Sequence, residues 1–242
     1  MKAIHLTHHV LSDLSGNPIS LADEVVQVWQ VGLDVAPAYL ARLVALLSVD
    51  ERERMGRFHF EHHRHRYAAA HGQLRLILSA YLACHPAKLQ FVTTTYGKPA
   101  LTNGGDLCFN LSHAGDQMLV AVVRGRAIGV DIEQIRPDFA TTEIASHYFS
   151  HAEQMAFQAV PEAQKPQAFF NAWTRKEAFI KAMGEGLSFP LGDFAVTLVP
   201  GEPVRLLTVR GSTEEAARWQ MWGWEAGDGY AAAVVVGEKR DA

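Results

Sequence analysis

The sequence of 242 residues predicts an α+β fold built from two similar halves, each of which runs from helices to strands. Helices are indicated by capping boxes that precede runs of good helix formers. Strands are indicated by short runs rich in apolar and β-branched residues, separated by Gly and Pro turns. We place the change of halves at Arg124-Gly125-Arg126, which gives residues 1–126 and residues 127–242. Identity between the halves is too faint to define a repeat.

Composition describes a globular protein with a sizeable core, since 48% of the residues are hydrophobic and 20% are charged. The net charge of −4 argues against a nucleic-acid-binding domain, which is usually basic. Cys84 and Cys108 form neither a disulfide framework nor a zinc spacing. The N-terminus does not resemble a signal peptide, and the longest apolar run, residues 230–236, is too short to span a membrane. We therefore expect a cytoplasmic protein with no membrane partner.

In the first half, we expect residues 1–24 to form a poorly patterned leader. Ser48 and Glu51 make a capping box that starts a helix, and a long apolar helix follows as far as residue 82. The other predicted elements of this half are a strand at 25–31, a helix at 37–47, strands at 89–94 and 107–111, and a turn at 96–99.

Arginines and histidines are concentrated between residues 52 and 66. Arginine side chains in such a group could bind a phosphate-rich ligand, because guanidinium groups bind phosphate oxygens in pairs. The alternative is a solvated helix face, since Glu51, Glu53 and Glu61 are near enough in sequence to pair with the arginines. The histidines at 59, 62, 63 and 65 do not have a diagnostic zinc spacing.

In the second half, we expect residues 117–123 and 127–132 to pair as a hairpin about Arg124-Gly125-Arg126. A helix at 144–149 is followed by another that opens with the capping box of Ser150 and Glu153. Asn171 to Gly186 is a further helix, with Gly184 providing its left-handed end. The last predicted elements are strands at 194–199, 204–209, 219–224 and 230–236 and a frayed tail at 237–242.

Asp131 and Glu133 are two residues apart in a strand pattern, so both carboxylates point to one face of the sheet. Neighbouring acids resist ionising together unless a cation lies between them. Glu177 and Lys181 are four apart in the later helix and share a face. If that face met the strand, three carboxylates would surround a site suited to Mg²⁺. The alternatives are a solvated edge strand and an amphipathic core helix with one surface ion pair.

These residues carry a resemblance to a known family. Gly129-Val130-Asp131-Ile132-Glu133, Trp173-Thr174-Arg175-Lys176-Glu177-Ala178 and the segment from Lys181 to Ser188 together resemble the double motif of the 4′-phosphopantetheinyl transferases, specifically their long, surfactin-type members. The resemblance covers the chain from about residue 48 onwards. It implies two α+β halves related by a pseudo-twofold axis, with the active site at the interface between them.

The resemblance also implies roles for individual residues. Asp131, Glu133 and Glu177 would hold Mg²⁺, or Mn²⁺ in its place, and Lys181 would act separately as a cation that faces the phosphates. Glu177, directly or through water, is a candidate proton acceptor, and the family also has an acid at the position of Glu153 near the metal. The residues implied to bind coenzyme A are Arg54, Arg66, Lys98, Ser112 and His113.

The implied reaction moves the 4′-phosphopantetheine arm of coenzyme A to a serine of an acyl or peptidyl carrier domain and releases 3′,5′-ADP. The carriers would belong to fatty-acid, polyketide or nonribosomal-peptide synthases, and the enzyme would be a monomer. Two other functions remain open: a Mg²⁺-dependent nucleotide hydrolase that cleaves pyrophosphate, and a non-catalytic scaffold that binds coenzyme A or the carrier. A serine hydrolase is disfavoured because Ser112 lies in no Gly-x-Ser-x-Gly segment.

Overall fold

The structure is a computed structural model that describes residues 4–14 and 17–239, with the backbone but not the side chain of Leu187. The first half carries three helices and six strands within these ranges. They are α1 (Pro37–Leu46), α2 (Val49–Gly56) and α3 (Glu61–Leu82), with β1 (His5–Val10), β2 (Val25–Gly32), β3 (Phe91–Thr93), β4 (Pro99–Leu101), β5 (Leu107–Ala114) and β6 (Gln117–Arg124).

The second half contains four helices and five strands within the described part of the chain. They are β7 (Arg126–Gln134), α4 (Thr142–Tyr148), α5 (His151–Ala159), α6 (Lys165–Met183), β8 (Phe194–Val196), β9 (Leu206–Val209), α7 (Thr213–Ala216), β10 (Trp219–Glu225) and β11 (Tyr230–Lys239). None of the helices in the described ranges combines the length and apolar character that a membrane crossing needs.

The main sheets of the two halves have the same strand topology. The first sheet has the order β1-β2-β6-β5, and the second has the order β10-β11-β7. In each half the first long strand pairs antiparallel with the last strand, β2 with β6 and β7 with β11, and the last strand pairs antiparallel with the strand before it. The prediction of an α+β fold with two similar halves is therefore confirmed.

The predicted hairpin between β6 and β7 is wrong. β6 lies between β2 and β5, whereas β7 pairs with β11 of the other sheet. Gly125, with a φ of +60°, turns the chain between the sheets, and its N–H donates to the carbonyl of Asp106 at 2.8 Å. Both strands are almost wholly buried, so their local sequences do not distinguish between partner strands.

Both ends of the chain are more regular than their sequences suggest. Part of the expected leader is a strand, because β1 pairs in parallel with β2 from His5 to Val10. His9 stacks on Trp29 and His8 packs edge-on against Trp224, which accounts for two of the leader histidines. At the other end β11 continues to Lys239, so the predicted fraying is wrong for residues 237–239; residues 240–242 lie outside the described residues.

Helix α6 crosses the face of the second sheet at unusually short range. A Cβ atom on Gly129 of β7 would lie 2.0 Å from the carbonyl oxygen of Ala178 and 2.4 Å from the backbone nitrogen of Ala182. Only glycine permits this approach. The helix begins at Lys165, six residues before the predicted start, and ends as predicted at Gly184, whose φ of +77° is left-handed. This crossing brings the C-terminal half of α6 onto β7.

Candidate active site at the meeting of the two sheets

Asp131 lies at the centre of the candidate site, where β7 runs beside β5. Its side chain is buried, with 3% of the residue exposed. One carboxylate oxygen, Oδ1, accepts a hydrogen bond of 2.8 Å from the Ser112 hydroxyl on β5. The other oxygen, Oδ2, is buried without a hydrogen-bond partner. The position is therefore not the solvated face of an edge strand, and it leaves one strong acceptor free for a further group.

Lys181 supplies the cation nearest to this carboxylate among the described residues. Its Nζ lies 2.7 Å from Asp131 Oδ1 and donates also to Ser112 Oγ at 2.9 Å and to the Val130 carbonyl at 3.3 Å. Lys181 is therefore paired directly with Asp131, and its role as a cation that faces the phosphates stays a prediction.

Glu133 and Glu177 complete the acidic side of the site. Burial and the charge of Asp131 together raise the pKa of Glu133 to about 7, with a smaller contribution from Glu177 and against the opposing charges of Lys181 and Arg136. Burial and the charge of Asp131 also raise the pKa of Glu177. Burial likewise raises the pKa of Asp131, against the opposing effects of Lys181 and Ser112. The charge of Asp131 thus disfavours the ionised forms of both Glu133 and Glu177.

This donor set fits a hard divalent cation. Carboxylate oxygens are the ligands that Mg²⁺ prefers, and a cation would relieve the repulsion and use the orphaned Oδ2 of Asp131. Within residues 4–14 and 17–239, however, no three His, Cys, Asp or Glu side chains already stand in the arrangement of a metal site. The carboxylates are therefore near one another without a preformed cage.

A cleft next to these residues is built by both halves. Its volume is about 250 Å³, and it is lined from the first half by Tyr96 to Pro99 and by Asn110 and Leu111. From the second half it is lined by Glu177, Ile180, Lys181, Gly184 and Gly186. The active site at the interface between halves is therefore where the resemblance implies. Glu177 and Lys181 share the lining face of α6, as their spacing predicts.

Lys98 lies in the wall of this cleft and is bound to backbone carbonyls. Its Nζ donates to the carbonyl of Ile128 on β7 at 2.6 Å and to the carbonyl of Lys181 on α6 at 2.7 Å. It therefore ties the turn of the first half to both catalytic elements of the second half. A contact with nucleotide phosphate, as the resemblance implies, would be made by an amine that already has these two acceptors.

Arg54 borders a second cleft of about 190 Å³, between α2, α3 and the β3–β4 hairpin. Its guanidinium carbon lies 5.9 Å from the ring centre of Tyr67. Glu51 accepts from Arg75 at 2.8 Å and from the Ser48 N–H at 2.8 Å, so the capping box is confirmed and this acid does not neutralise Arg54.

Arg66 and His113 do not join Arg54 in that cleft. The Arg66 guanidinium forms a two-bond ion pair with Asp34, with N–O distances of 3.1 and 3.2 Å. His113 is exposed near the end of β5, one residue after Ser112. Five residues are implied to bind coenzyme A. Of these, Ser112 bonds to the side chains of Asp131 and Lys181, and Lys98 bonds to the Lys181 carbonyl. The other three, Arg54, Arg66 and His113, have separate contacts.

Two functional contacts were missed in the sequence. Asn110 Oδ1 accepts from the Val130 N–H at 2.9 Å and so satisfies the outer edge of β7 beside Asp131. Its position two residues before Ser112 on one strand was the available signal, because alternate residues share a face.

The second missed contact concerns Glu153. Its Oε2 pairs with Lys176 Nζ at 2.8 Å and its Oε1 accepts from the Val196 N–H at 2.8 Å, both in the interior. The capping box with Ser150 is confirmed. A place for Glu153 beside the metal is wrong, because both of its oxygens are used to hold α5, α6 and β8 together.

Comparisons with known proteins agree with this geometry. A profile of the 4′-phosphopantetheinyl transferase superfamily matches residues 127–235, and one described as 4′-phosphopantetheinyl transferase, N-terminal, matches residues 35–124. The chain is 36% identical over 221 residues to 4′-phosphopantetheinyl transferase HetI of Nostoc sp., covering 90% of each chain. It is 32% identical to 4′-phosphopantetheinyl transferase Sfp of Bacillus subtilis, over 65% of this chain and 69% of that protein.

Among solved structures, a holo-(acyl-carrier-protein) synthase from Bacillus anthracis in complex with CoA aligns with 47% of this chain and 96% of its own, at 21% identity and a TM-score of 0.39. The family assignment depends instead on the sequence relatives, above all on the match to HetI along nine tenths of both chains. On that evidence the chain belongs to the 4′-phosphopantetheinyl transferase superfamily, in its long, Sfp-like form.

Proposed function

We propose that this protein transfers the 4′-phosphopantetheine arm of coenzyme A to a serine of a carrier-protein domain and releases 3′,5′-ADP. The observation that carries the proposal is the buried Asp131 carboxylate, which binds Lys181 and Ser112 through one oxygen and keeps the other free beside Glu133 and Glu177. The relatives named as 4′-phosphopantetheinyl transferases support it.

Asp131, Glu133 and Glu177 would hold the metal ion, Mg²⁺ or Mn²⁺. When bound, the ion would offset the negative charge that develops on the pyrophosphate during transfer. Support for this assignment comes from the unpaired oxygen of Asp131 and from the raised pKa values of the three carboxyl groups.

The cationic and hydroxyl groups would position the substrate. Lys181 and Ser112 form one hydrogen-bonded group with Asp131, so a phosphate that enters the cleft meets an amine and a hydroxyl held in place. Lys98 keeps β7 and α6 at a constant separation and would face the nucleotide from the cleft wall. Glu177, directly or through water, is a candidate acceptor for the serine proton.

The two halves would divide this work between them. Residues 1–126 would supply most nucleotide contacts, with Arg54, Arg66 and His113 around the bound coenzyme A. Residues 127–242 would supply the metal ligands and Lys181. Arg66 would exchange its partner Asp34 for phosphate when the ligand binds, which is feasible for an exposed ion pair because such pairs are weak.

The carrier could belong to a fatty-acid, polyketide or nonribosomal-peptide synthase, since each presents a serine to the enzyme. We infer that the enzyme works as a monomer in the cytoplasm. The two free cysteines are consistent with a reducing compartment.

The test is a mass measurement on a panel of apo-carriers after incubation with coenzyme A and Mg²⁺. The expected result is one added phosphopantetheine per carrier domain, lost when the metal is chelated. Hydrolysis of coenzyme A without any added mass would replace the proposal by a nucleotide hydrolase. Binding of coenzyme A with neither product would replace it by a non-catalytic scaffold.

A further inference from the structure

A second cavity lies at the start of β5, at the end of that strand remote from Ser112. Its volume is about 360 Å³, within the usual range of small-molecule pockets. Its walls combine polar surface with apolar side chains, and they come from the β3–β4 hairpin, β5, β7 and the last turn of α6. Leu101, Phe109, Ile128 and Met183 are among the lining side chains, together with Cys108 and Arg126.

Arg126 is the unusual member of this lining. It is 6% exposed, and its Nε is buried without a hydrogen-bond partner. The guanidinium of Arg126 makes one hydrogen bond within the described residues, and this bond is long, 3.4 Å from Nη1 to the carbonyl of Gly237. No carboxylate in those residues pairs with it. The charge of Arg126 contributes to the lowered pKa of Asp23, but Asp23 forms its ion pair with Lys239 and not with Arg126. A buried charge without a directly paired counter-charge is costly, so this guanidinium has capacity for a further anion.

The neighbouring cations show that this is not a general feature of the surface here. Arg124 pairs with Asp106 at 2.6 Å, and Lys239, directly opposite Arg126 in the β7–β11 register, pairs with Asp23 at 2.6 Å. The acids in this part of the molecule are thus already used by other cations. Arg126 alone among these three cations lines the cavity and lacks an acid.

We propose that the cavity around Arg126 binds a small organic carboxylate with an apolar body. One guanidinium without an ion pair matches the single charge of a carboxylate and has N–H groups that can donate to it. The other cation of the lining, Lys98, already donates to two carbonyls and is oriented toward α6 and β7. The apolar side chains of the walls would cover the body of the ligand.

Apart from Lys98, the lining of this cavity contains none of the residues assigned to phosphopantetheine transfer, and the proposal does not rest on that function. Lys98 and Pro99 stand between the two clefts and line both of them. Asp131, Glu177 and Ser112 do not line the cavity. A ligand at Arg126 would therefore lie behind the catalytic cleft, against the last turn of α6.

The two cysteines provide a test in the unmodified protein. Cys108 lines this cavity, whereas Cys84 lines a different one, of about 550 Å³, beside α3. Benzoate is the probe, and alkylation by iodoacetamide at each cysteine, followed by peptide mass spectrometry, is the readout. In each alkylation the sulfur–carbon bond forms as iodide leaves. Benzoate should slow alkylation of Cys108 in a saturable manner and leave that of Cys84 unchanged.

Two arginine variants make the test specific. Arg126→Gln should weaken benzoate protection about tenfold or more, as expected for the loss of a charged hydrogen bond. Arg124→Gln is the matched control, since Arg124 lies two residues away outside the cavity, and it should leave protection intact. Protection that is absent, equal at both cysteines, or reduced equally by both variants would overturn the proposal.

Two further arms remove the remaining ambiguity. Iodoacetate is an anion and iodoacetamide is neutral, so the ratio of the iodoacetate rate to the iodoacetamide rate should be higher at Cys108 than at Cys84. An equal ratio at the two cysteines would count against an anion site. This comparison needs no variant, so it stands if Arg126→Gln fails to fold. Coenzyme A without metal should leave benzoate protection unchanged. Loss of protection would assign the anion site to coenzyme A and overturn a separate site.

Discussion

Each half of the molecule contains the same buried ion pair between the start of a short helix and the middle of a long one. In the first half, Glu51 of the α2 capping box lies 2.8 Å from Arg75 on α3. In the second half, Glu153 of the α5 capping box lies 2.8 Å from Lys176 on α6. In both halves the pair connects the two helices.

The cations of the two pairs have equivalent further contacts. Arg75 donates to two carbonyls before β3 and lies over the ring of Phe91, at 5.2 Å from the ring centre. Lys176 donates to two carbonyls, just before and at the start of β8, and lies over the ring of Phe194, at 4.2 Å. The same arrangement thus joins helix, loop and short strand twice in one chain.

The halves differ in what stands next to the pair. The residue after Lys176 is the candidate ligand Glu177, whereas the residue after Arg75 is Leu76. Strand β7 contains Asp131 and Glu133, while the corresponding strand β2 contains no acid. The comparison indicates that the buried pair is a structural element common to both halves, whereas the candidate metal ligands lie in the second half.

The largest loss of stability should come from breaking the more deeply buried ion pair, Glu153 with Lys176. Lys176→Met leaves Glu153 buried and unpaired, which should lower the free energy of unfolding by about 3–5 kcal/mol. Arg75→Met should cost less, because Glu51 keeps the side chain of His71 as a partner, whereas Glu153 keeps only the N–H groups of Ser150 and Val196. The Glu51 side chain is also 12% exposed, against 1% for Glu153. Urea unfolding measures both values.

The double variant Glu153→Leu with Lys176→Met is the control for this prediction, and it should recover part of the loss by removing the unpaired charge. Equal losses for Arg75→Met and Lys176→Met would show that the two pairs do not differ in their access to water.

A smaller effect should follow from adding one methyl group to the first long strand of each sheet. Gly129→Ala must push α6 away from β7, and we expect a loss of about 3 kcal/mol in stability with a comparable fall in transfer activity. Gly32→Ala is the matched control at the end of β2, where no atom lies within 4 Å of the added carbon. Thermal unfolding measures the stability of both variants. Equal stability of the two would contradict the close approach of α6 to β7.

A substitution in the first half should weaken nucleotide binding and leave the candidate metal site intact. Arg54→Ala should weaken coenzyme A binding about tenfold to a hundredfold, the effect of one charged hydrogen bond, and should affect the analogue lacking the 3′-phosphate less. Arg52→Ala, an exposed neighbour on α2 that does not line the cleft, is the control. Calorimetric titration gives both affinities; equal losses for the two ligands would show that Arg54 does not contact that phosphate.

The smallest effects should be pH-dependent and of opposite sign in the two halves. In metal-free protein the pKa of Glu133 is raised from 4.5 to about 7, so its contribution to stability is present below about pH 4.5 and is lost as the pH rises to 7. Hydrogen bonds from His71, Arg75 and Ser48 outweigh burial and lower the pKa of Glu51 to about 2, so its contribution is present above about pH 4.5 and is lost toward pH 2.

Urea unfolding from pH 3 to pH 8 in the presence of a chelator checks both signs. Glu133→Gln should flatten the decline between pH 4.5 and 7, and Glu51→Gln should flatten the decline on the acid side. If the free energy of unfolding instead rose between pH 4.5 and 7, and Glu133→Gln removed that rise, the result would contradict the burial of the Glu133 carboxyl group.

Local features of this molecule were predictable because local residues determine them. Ser48 and Ser150 begin helices as their capping boxes require, and Gly184 ends α6 in the left-handed conformation. Asp131 and Glu177 were predicted to share a site from strand and helix periodicity together with the family motifs. The structure places their elements in contact through Gly129, which a motif match alone does not explain.

Long-range pairing was not predictable from the same signals. β6 and β11 are almost continuously apolar in their interiors, and β7 is buried along most of its length, so nothing local in β7 favours β11 over β6. The engagement of Lys98 with two carbonyls and of Lys181 with Asp131 depends on where three separate segments meet. The parallel pairing of β1 with β2 likewise depends on a contact between residues that are apart in sequence. The polar histidines of β1 weaken the apolar pattern by which a strand is predicted.

The central claim is that strand β7 and helix α6 share one metal ion. The direct measurement is the transfer rate as a function of Mg²⁺ concentration for Asp131→Asn, Glu177→Gln and the double variant, with Glu162→Gln, whose side chain is 86% exposed, as control. Each single variant should need more Mg²⁺ and transfer far more slowly, and the double variant should cost much less than the product of the two losses. Strictly multiplicative losses, or an unchanged Mg²⁺ dependence in Glu177→Gln, would contradict a shared ion.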